Sequence, residues 1–203
     1  MRGFRLLSNS FALGIATSSL PALHAAAPAP RADAAAILAG GCFWGTEAVY
    51  EHLKGVRSVT SGFANAPAGT PVAVEAVRIV YDPAIISYWQ LLEVFFAVAH
   101  DPTSRDRQGP DAGAEYRAVV FYQTDQERDA AGAYLAELVK GKRFAKPIVT
   151  EVLSLAKFTV APSFHQDYGF QHPDEPYIVQ NDAPKLVHLK RDFPALYQER
   201  RAP

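Results

Sequence analysis

The sequence predicts an α/β chain with helices packed on a sheet of mixed strand direction, in a single domain. Three observations predict it. Segments of strand character alternate with segments of helical period from Ala34 onward. Several links between strand candidates are too short for the crossover that a parallel pair needs, so some neighbours must run antiparallel. The 203 residues are 49% apolar and 20% charged, which suits one globular domain and excludes a disordered chain, a collagen-like fibre or a coiled coil.

The elements follow in order. Residues 1–25 carry Arg2 and Arg5 and no acid, then a short apolar run from Phe11, then small residues around Ala25. That order reads as a secretory signal peptide and makes the chain an exported one, periplasmic or secreted. Serines and threonines interrupt the apolar run, so it is a poor membrane span. Residues 26–35, with Pro28 and Pro30, read as a linker, and residues 36–198 as the domain.

Ala34-Ala-Ala-Ile-Leu-Ala39 is a short buried strand candidate, and Gly40-Gly41 ends it. A helix is expected from Phe43 to Lys54, with Ala48, Val49 and Leu53 on one face and Gly55 as its stop. Val56 to Phe63 and Val72 to Tyr81 are strands joined by a turn-rich loop. Ser87 and Gln90 fit a capping box before an apolar helix through Val98. Asp101 to Gly113 is polar and loop-like, and Arg117 to Tyr122 is a strand. Thr124 and Glu127 repeat the capping-box pattern before a helix ending at Gly141. Ile148 to Leu155 is a strand, a short helix follows Pro162, and another runs from Pro184 to Arg191.

Charge and cysteine content narrow the function. Twenty basic and 21 acidic residues give net charge −1, which argues against nucleic acid or an anionic membrane surface as partner. The single cysteine, Cys42, excludes an internal disulfide framework and a cysteine-rich zinc site. His165 and His172 are poorly spaced for a metal, so no metal is expected.

Cys42 lies between a strand and a helix, in Gly41-Cys-Phe-Trp-Gly45. The free amides and dipole of a helix start favour a thiolate by up to ~2 kcal/mol, enough to bring a thiol from about 8.5 toward neutrality. The flanking glycines permit a tight turn that leaves the sulfur accessible, although a lone cysteine is more commonly buried and inert. Phe43 and Trp44 offer an apolar wall suited to a methyl or thioether group, or else simple core packing. Glu75 shares one side of its strand with Val77, Ile79 and Tyr81. A carboxyl on a buried face holds its proton to higher pH and can donate it; at a strand end it can also reach solvent.

These residues resemble the type A peptide-methionine (S)-S-oxide reductase family, in its subgroup without C-terminal resolving cysteines. Gly41-Cys-Phe-Trp-Gly45 is similar to the family signature. Further blocks follow in the family's order: Glu75-Ala-Val-Arg-Ile-Val-Tyr-Asp-Pro83 with Ile86-Ser-Tyr, then His100-Asp-Pro102, Arg107-Gln-Gly-Pro-Asp111, Gly113 and Tyr116-Arg117. His165-Gln-Asp-Tyr168, Pro176-Tyr-Ile-Val179 and Asn181-Asp182 complete a likeness that spans Ala36 to Leu196.

The resemblance implies a two-layer α/β sandwich and thiol-dependent reduction of methionine S-sulfoxide, protein-bound or free, in repair of oxidative damage. It implies Cys42 as the nucleophile that becomes a sulfenic acid and Glu75 as proton donor to the sulfoxide oxygen. Tyr116 would bond that oxygen, Asp111 would be a polar neighbour, and Phe43 and Trp44 would hold the methyl group. It implies no bound cofactor, an external reductant (a small thiol or a thioredoxin-like protein) and a monomer.

The chain departs from the family in Ala64-Asn-Ala-Pro-Ala-Gly-Thr-Pro-Val-Ala-Val-Glu75, which lacks the Asn-Pro-x-Tyr element and has Ala73 where the family has a histidine. Loss of one such donor to a developing oxyanion costs on the order of a hundredfold in rate. The alternative reading is therefore a non-turnover binding or redox-sensing module on the same fold. A third, a cysteine hydrolase, needs His100 or His165 beside Cys42. His100 otherwise reads as a histidine at a helix C-terminus, favoured by the dipole. Arg105, Arg107 and Arg117 read as a loop-ordering cluster, and Tyr177 and Tyr197 as surface aromatics without a special role.

Overall fold

A computed structural model describes residues 32–67 and 72–200. The signal-peptide reading of residues 1–25 and the middle of the shortened loop lie outside the described residues. Strand β1 (Ala34–Ala39) leads through Gly40-Gly41 into helix α1 (Phe43–Glu51). Strands β2 (Val56–Asn65) and β3 (Val74–Tyr81) form an antiparallel pair. Helix α2 (Tyr88–Val94) continues into a π-helical turn, Phe95–Ala99. A two-stranded ribbon, β4 (Arg107–Gln108) and β5 (Asp111–Ala112), and a 3₁₀ turn, Ala114–Tyr116, occupy the segment read as loop. Strand β6 (Val119–Tyr122), helix α3 (Asp125–Lys140) and strand β7 (Glu151–Ser154) form a parallel crossover. Strand β8 (Lys157–Val160), helix α4 (Tyr168–Gln171), a second π-helical turn (Ile178–Asp182) and helix α5 (Ala183–Asp192) complete the chain.

Local chemistry sets the helix starts. The Ser87 hydroxyl accepts from the Gln90 amide at 3.2 Å while the Gln90 side chain accepts from the Ser87 amide at 2.9 Å, so two otherwise unpartnered N–H groups are satisfied. Thr124 accepts from the Glu127 amide at 3.2 Å, and the Glu127 carboxylate reaches back to the Gln123 amide at 2.6 Å. Pro184 falls in the first turn of α5, where its missing N–H costs nothing.

Among the described residues one six-stranded sheet has the order β7-β6-β1-β3-β2-β8, mixed in direction because only β6–β7 is parallel. Its two edge strands are consecutive in the chain, joined by Leu155 and Ala156 alone. Six flat strands would separate the edges by about 24 Å at ~4.8 Å per step. Two linking residues reach about 11 Å. The sheet must therefore curl until its edges approach. The backbone shows it: the Leu155 amide bonds Tyr122 on one side of the link and the Ala156 amide bonds Asn65 on the other, at 2.9 and 2.8 Å.

The curl explains two cores. On one face Leu38, Val77, Ile79 and Tyr81 meet Phe43, Val49, Leu91, Phe95, Tyr134 and Leu189 from the helices. On the other face Ile37, Ala39, Ala64, Val74, Ala76, Val119 and Phe121 are buried with Leu153, Leu155 and Phe158 and no helix residue. Small side chains there let the strands close on one another. Strand β1 is thus buried on both faces, which is why Ala34–Ala39 reads as an unbroken apolar run. The helices form the second layer of an α/β sandwich.

β8 is absent from the sequence reading. Its four residues form an edge strand with three of them exposed, so it lacks the pattern of a half-buried strand. The Phe43–Lys54 helix ends three residues early, at Glu51.

Candidate active site

Strand register builds the site. β1 runs antiparallel to β3 with Leu38 opposite Val77, so the start of β3 lies beside the turn that ends β1. β1 also pairs with β6, with Ala39 opposite Val119, which brings the 3₁₀ turn ending at Tyr116 to the same corner. Three strand ends converge there, and Cys42 stands among them as the N-cap of α1. Gly41 makes the turn possible: its φ is +86°, and a Cβ there would stand 2.4 Å from the Gln108 Cβ.

The helix start is shared between two groups. The Phe43 amide donates to Glu75 Oε2 at 3.0 Å, and the Trp44 amide bonds the Cys42 sulfur. The expectation that the helix start would bring the thiol toward neutrality is corrected. Burial pushes the Cys42 thiol up to about 12, and Glu75 and Asp182 add to the rise against the bonds from Tyr177 and Trp44. Cys42 is only 9% exposed, and desolvation of a thiolate outweighs a partial helix charge. The resting group is a thiol.

Glu75 behaves as its strand position suggests. Burial pushes its carboxyl up to about 7, the Phe43 amide opposes this, and Asp111 and Glu115 reinforce it. Tyr116 faces the same group: burial first, then the negative potentials of Glu75, Asp111 and Cys42, raise its phenol. The Asp111 carboxylate accepts a short 2.5 Å hydrogen bond from the Tyr177 hydroxyl. A cleft of about 240 Å³ opens onto Cys42, walled by His100, Gln108, Asp111, Tyr177, Asn181 and Lys185 among others.

Phe43 and Trp44 part company. Phe43 is 2% exposed and packs on Phe63 and His165 in the core, with ring centroids 5.7 and 5.2 Å away. Trp44 stands nearer the surface, stacked on Tyr168 at 3.8 Å and edge-on to Tyr177 at 5.7 Å. Trp44 is thus the half-buried member of the pair and Phe43 the buried one.

Several expectations change here. Tyr177, read as a surface aromatic, bonds both Asp111 and the thiol; its membership in the Pro176-Tyr-Ile-Val179 block was the available signal. Asp182 is buried, paired with Lys185 at 3.2 Å against Gly45, and burial raises its carboxyl. His100 is not a charged helix-end histidine. Its Nδ1 bonds the Phe95 carbonyl and its Nε2 bonds Thr150, both at 2.9 Å, and burial lowers it to about 4. With both nitrogens so engaged it cannot serve Cys42 as a base. His165 lies in the aromatic group with Phe43 and Trp44 rather than among the thiol's partners, so the hydrolase reading fails. Of the three arginines read together, Arg107 bonds the Gly109 and Pro110 carbonyls of its own loop, and Arg117 pairs with Glu151. No group of three or more possible metal ligands occurs among the described residues.

A thiol at a helix start, beside a carboxyl that still holds its proton near neutrality, is an arrangement suited to thiol chemistry. A model of the peptide methionine sulfoxide reductase family matches residues 34–195. The chain is 42% identical over 175 residues to peptide methionine sulfoxide reductase MsrA 2 of Mesorhizobium japonicum, covering 81% of this chain and 90% of that protein. It is 41% identical over 171 residues to the MsrA of Thermus thermophilus, covering 79% and 96%. The crystal structure of reduced Mxr1 from Saccharomyces cerevisiae superposes with TM-score 0.61 at 28% identity, over 73% of this chain and 89% of that one. The chain belongs to the peptide methionine sulfoxide reductase family.

Proposed function

We propose that the chain reduces methionine S-sulfoxide to methionine, with Cys42 as nucleophile and Glu75 as acid. The observation that carries this is the Phe43 amide's bond to Glu75, which fixes a protonatable carboxyl next to the thiol at one helix start. In the reaction the Cys42 sulfur attacks the sulfoxide sulfur while Glu75 protonates the oxygen. The oxygen ends on Cys42 as a sulfenic acid, and the substrate leaves as a thioether. A protonated Glu75 serves twice: it supplies the proton, and it places no negative charge beside an ionising sulfur. Tyr116 bonds the oxygen from the opposite strand end. Trp44, backed by Phe43, holds the methyl group.

Cys42 is the only cysteine, so its sulfenic acid cannot close an internal disulfide. An outside thiol, small or on a thioredoxin-like protein, condenses with it and releases water. A second thiol then frees Cys42 by exchange. The substrate in this reading is methionine S-sulfoxide, protein-bound or free. The basic and apolar order of residues 1–25 supports export to the periplasm or beyond, which fractionation of the expressing cell tests.

The decisive assay supplies the separate S and R epimers of N-acetyl-methionine sulfoxide with excess dithiothreitol. Multiple turnovers on the S epimer alone are expected. They should vanish in Cys42→Ser and fall by about a hundredfold or more in Glu75→Gln. No turnover on the S epimer, with the thiol still intact, would overturn the reading in favour of a sensing or binding module.

A further inference from the structure

We propose that Cys42, Tyr177 and Asp111 form a proton relay that ionises the nucleophile, with Tyr177 a further catalytic residue and Asp111 the acceptor at the cleft rim. The inference rests on the sulfoxide-reductase reading and deepens it.

The resting sulfur holds its proton, so attack requires that proton to leave. Glu75 cannot receive it, because it must arrive at the substrate protonated to serve the oxygen. Both nitrogens of His100 are engaged. Tyr177 remains. Its hydroxyl is a hydrogen-bonding partner of the thiol, and its own proton is directed to Asp111 Oδ2 at 2.5 Å. With the phenol proton directed to Asp111, the Tyr177 oxygen offers a lone pair to the thiol proton; once that proton has moved, it is the one Tyr177 donates back to the ionised sulfur.

The phenol is held in that pose. Its ring stands edge-on to Trp44, and the Tyr177 carbonyl accepts from Asn181 Nδ2 at 3.0 Å at the head of the second π-helical turn. Such turns recur where a helix must present side chains to a site. The charged and titratable groups around the relay are Glu75 from β3, Asp111 from the ribbon, Glu115 and Tyr116 from the 3₁₀ turn, Asp182 from the π-helical turn and Lys185 from α5.

The step balances. As the Cys42 sulfur bonds the sulfoxide sulfur, its proton passes to the Tyr177 oxygen and the Tyr177 proton passes to Asp111. Glu75 gives its proton to the sulfoxide oxygen. The oxygen then bonds the Cys42 sulfur as both its bond to the methionine sulfur and the new sulfur–sulfur bond break, so the substrate leaves as a thioether and the oxygen is retained on Cys42 as a sulfenic acid. Cys42 is oxidised by two electrons and the sulfoxide reduced by two. Asp111, open to the cleft, releases its proton to water, and Glu75 recovers one from the same source. Tyr177 stays neutral before and after, in keeping with a phenol that burial, Asp111 and Cys42 together make hard to ionise.

The test is a single turnover without reductant on the full chain. The S epimer of N-acetyl-methionine sulfoxide is mixed with enzyme, and methionine release is timed by quenching from about pH 6 to about pH 10, in water and in deuterium oxide. Tyr177→Phe and Asp111→Asn should each slow release by about a hundredfold at neutral pH. The double variant should be no slower than either alone. The deficit relative to the parent should shrink as pH rises, because hydroxide takes the thiol proton directly. The solvent isotope effect should be smaller in both variants than in the parent. Asp111→Asn is the sharper probe, since an amide oxygen still accepts the Tyr177 hydrogen bond but cannot take its proton. Parent-like release in either variant, or a deficit that is the same at every pH, overturns the relay. Failure of the parent to release any methionine overturns the sulfoxide-reductase reading itself.

Discussion

Cys42 is held between two opposing influences. The helix start and the Trp44 amide favour a thiolate, while burial and the neighbouring carboxyls disfavour it, and burial wins. The sulfur is therefore quiet until substrate arrives, which protects an enzyme with a single cysteine from indiscriminate oxidation. Alkylation by iodoacetamide checks this. The rate should climb steadily to about pH 10 with no plateau, as for a group ionising above that range. A plateau near neutrality would mean the helix start dominates after all. Glu75 stands at the opposite balance point, near 7, where a carboxyl both keeps and yields its proton in the physiological range.

Helix α2 and the π-helical turn after it carry His100 to the cleft wall, and the start of that element is set by its cap. Ser87 is exposed and outside the cleft lining, and its hydroxyl satisfies the Gln90 amide. Ser87→Ala should cost about 1 kcal/mol, read as a lower denaturant midpoint with unchanged slope, and should leave single-turnover methionine release unaltered. The two π-helical turns both contribute to the cleft lining. Phe95–Ala99 delivers His100, whose Nδ1 bonds the Phe95 carbonyl five residues back, and Ile178–Asp182 follows directly on Tyr177. The widened turn gives each side chain a direction that a regular helix would not.

At the scale of the molecule, the α1 helix carries two carboxyls, Glu47 and Glu51, that are not part of the cleft lining. Burial pushes Glu47 up to about 7 and Glu51 up to about 8, with Arg200 pulling both down. Arg200 pairs with Glu51 at 3.0 Å and also with Asp167, whose amide donates to Glu47 at 3.0 Å. These folded-state values lie above the unfolded ones, so the folded protein binds more protons from about pH 4.5 upward. Their stabilising contribution is complete below that pH and is lost as pH rises through 7 and 8. Glu75 acts in the same direction, while His100, lowered to about 4, acts in the opposite direction only below about pH 6.5. Stability should therefore fall from about pH 6.5 to about pH 9, and Glu47→Gln should flatten that slope. A midpoint that rises across this window would contradict the ionisation order of the α1 carboxyls.

The local sequence determined what local forces control. An unbroken apolar run placed the strand at Ala34–Ala39, strand patterning placed Val72 to Tyr81 within two residues of the observed Val74–Tyr81, and capping residues placed the helices begun by Ser87 and Thr124. The order of the motifs marked Cys42, Glu75, Asp111 and Tyr116 for one site, and the geometry gathers them at one corner. Short-range hydrogen bonds and periodic burial are written within a few residues of where they act, so they can be read there. Tertiary structure alone decided the curl of the sheet, because a two-residue link is short only in relation to where both edges lie. It alone decided the state of the thiol, set first by burial and then by Tyr177, Glu75 and Asp182, residues scattered along the chain that meet only when three strand ends converge. And it alone moved Tyr177 from an unremarked aromatic to the partner of the nucleophile, since a hydroxyl's role depends on which proton it holds and which atom it faces.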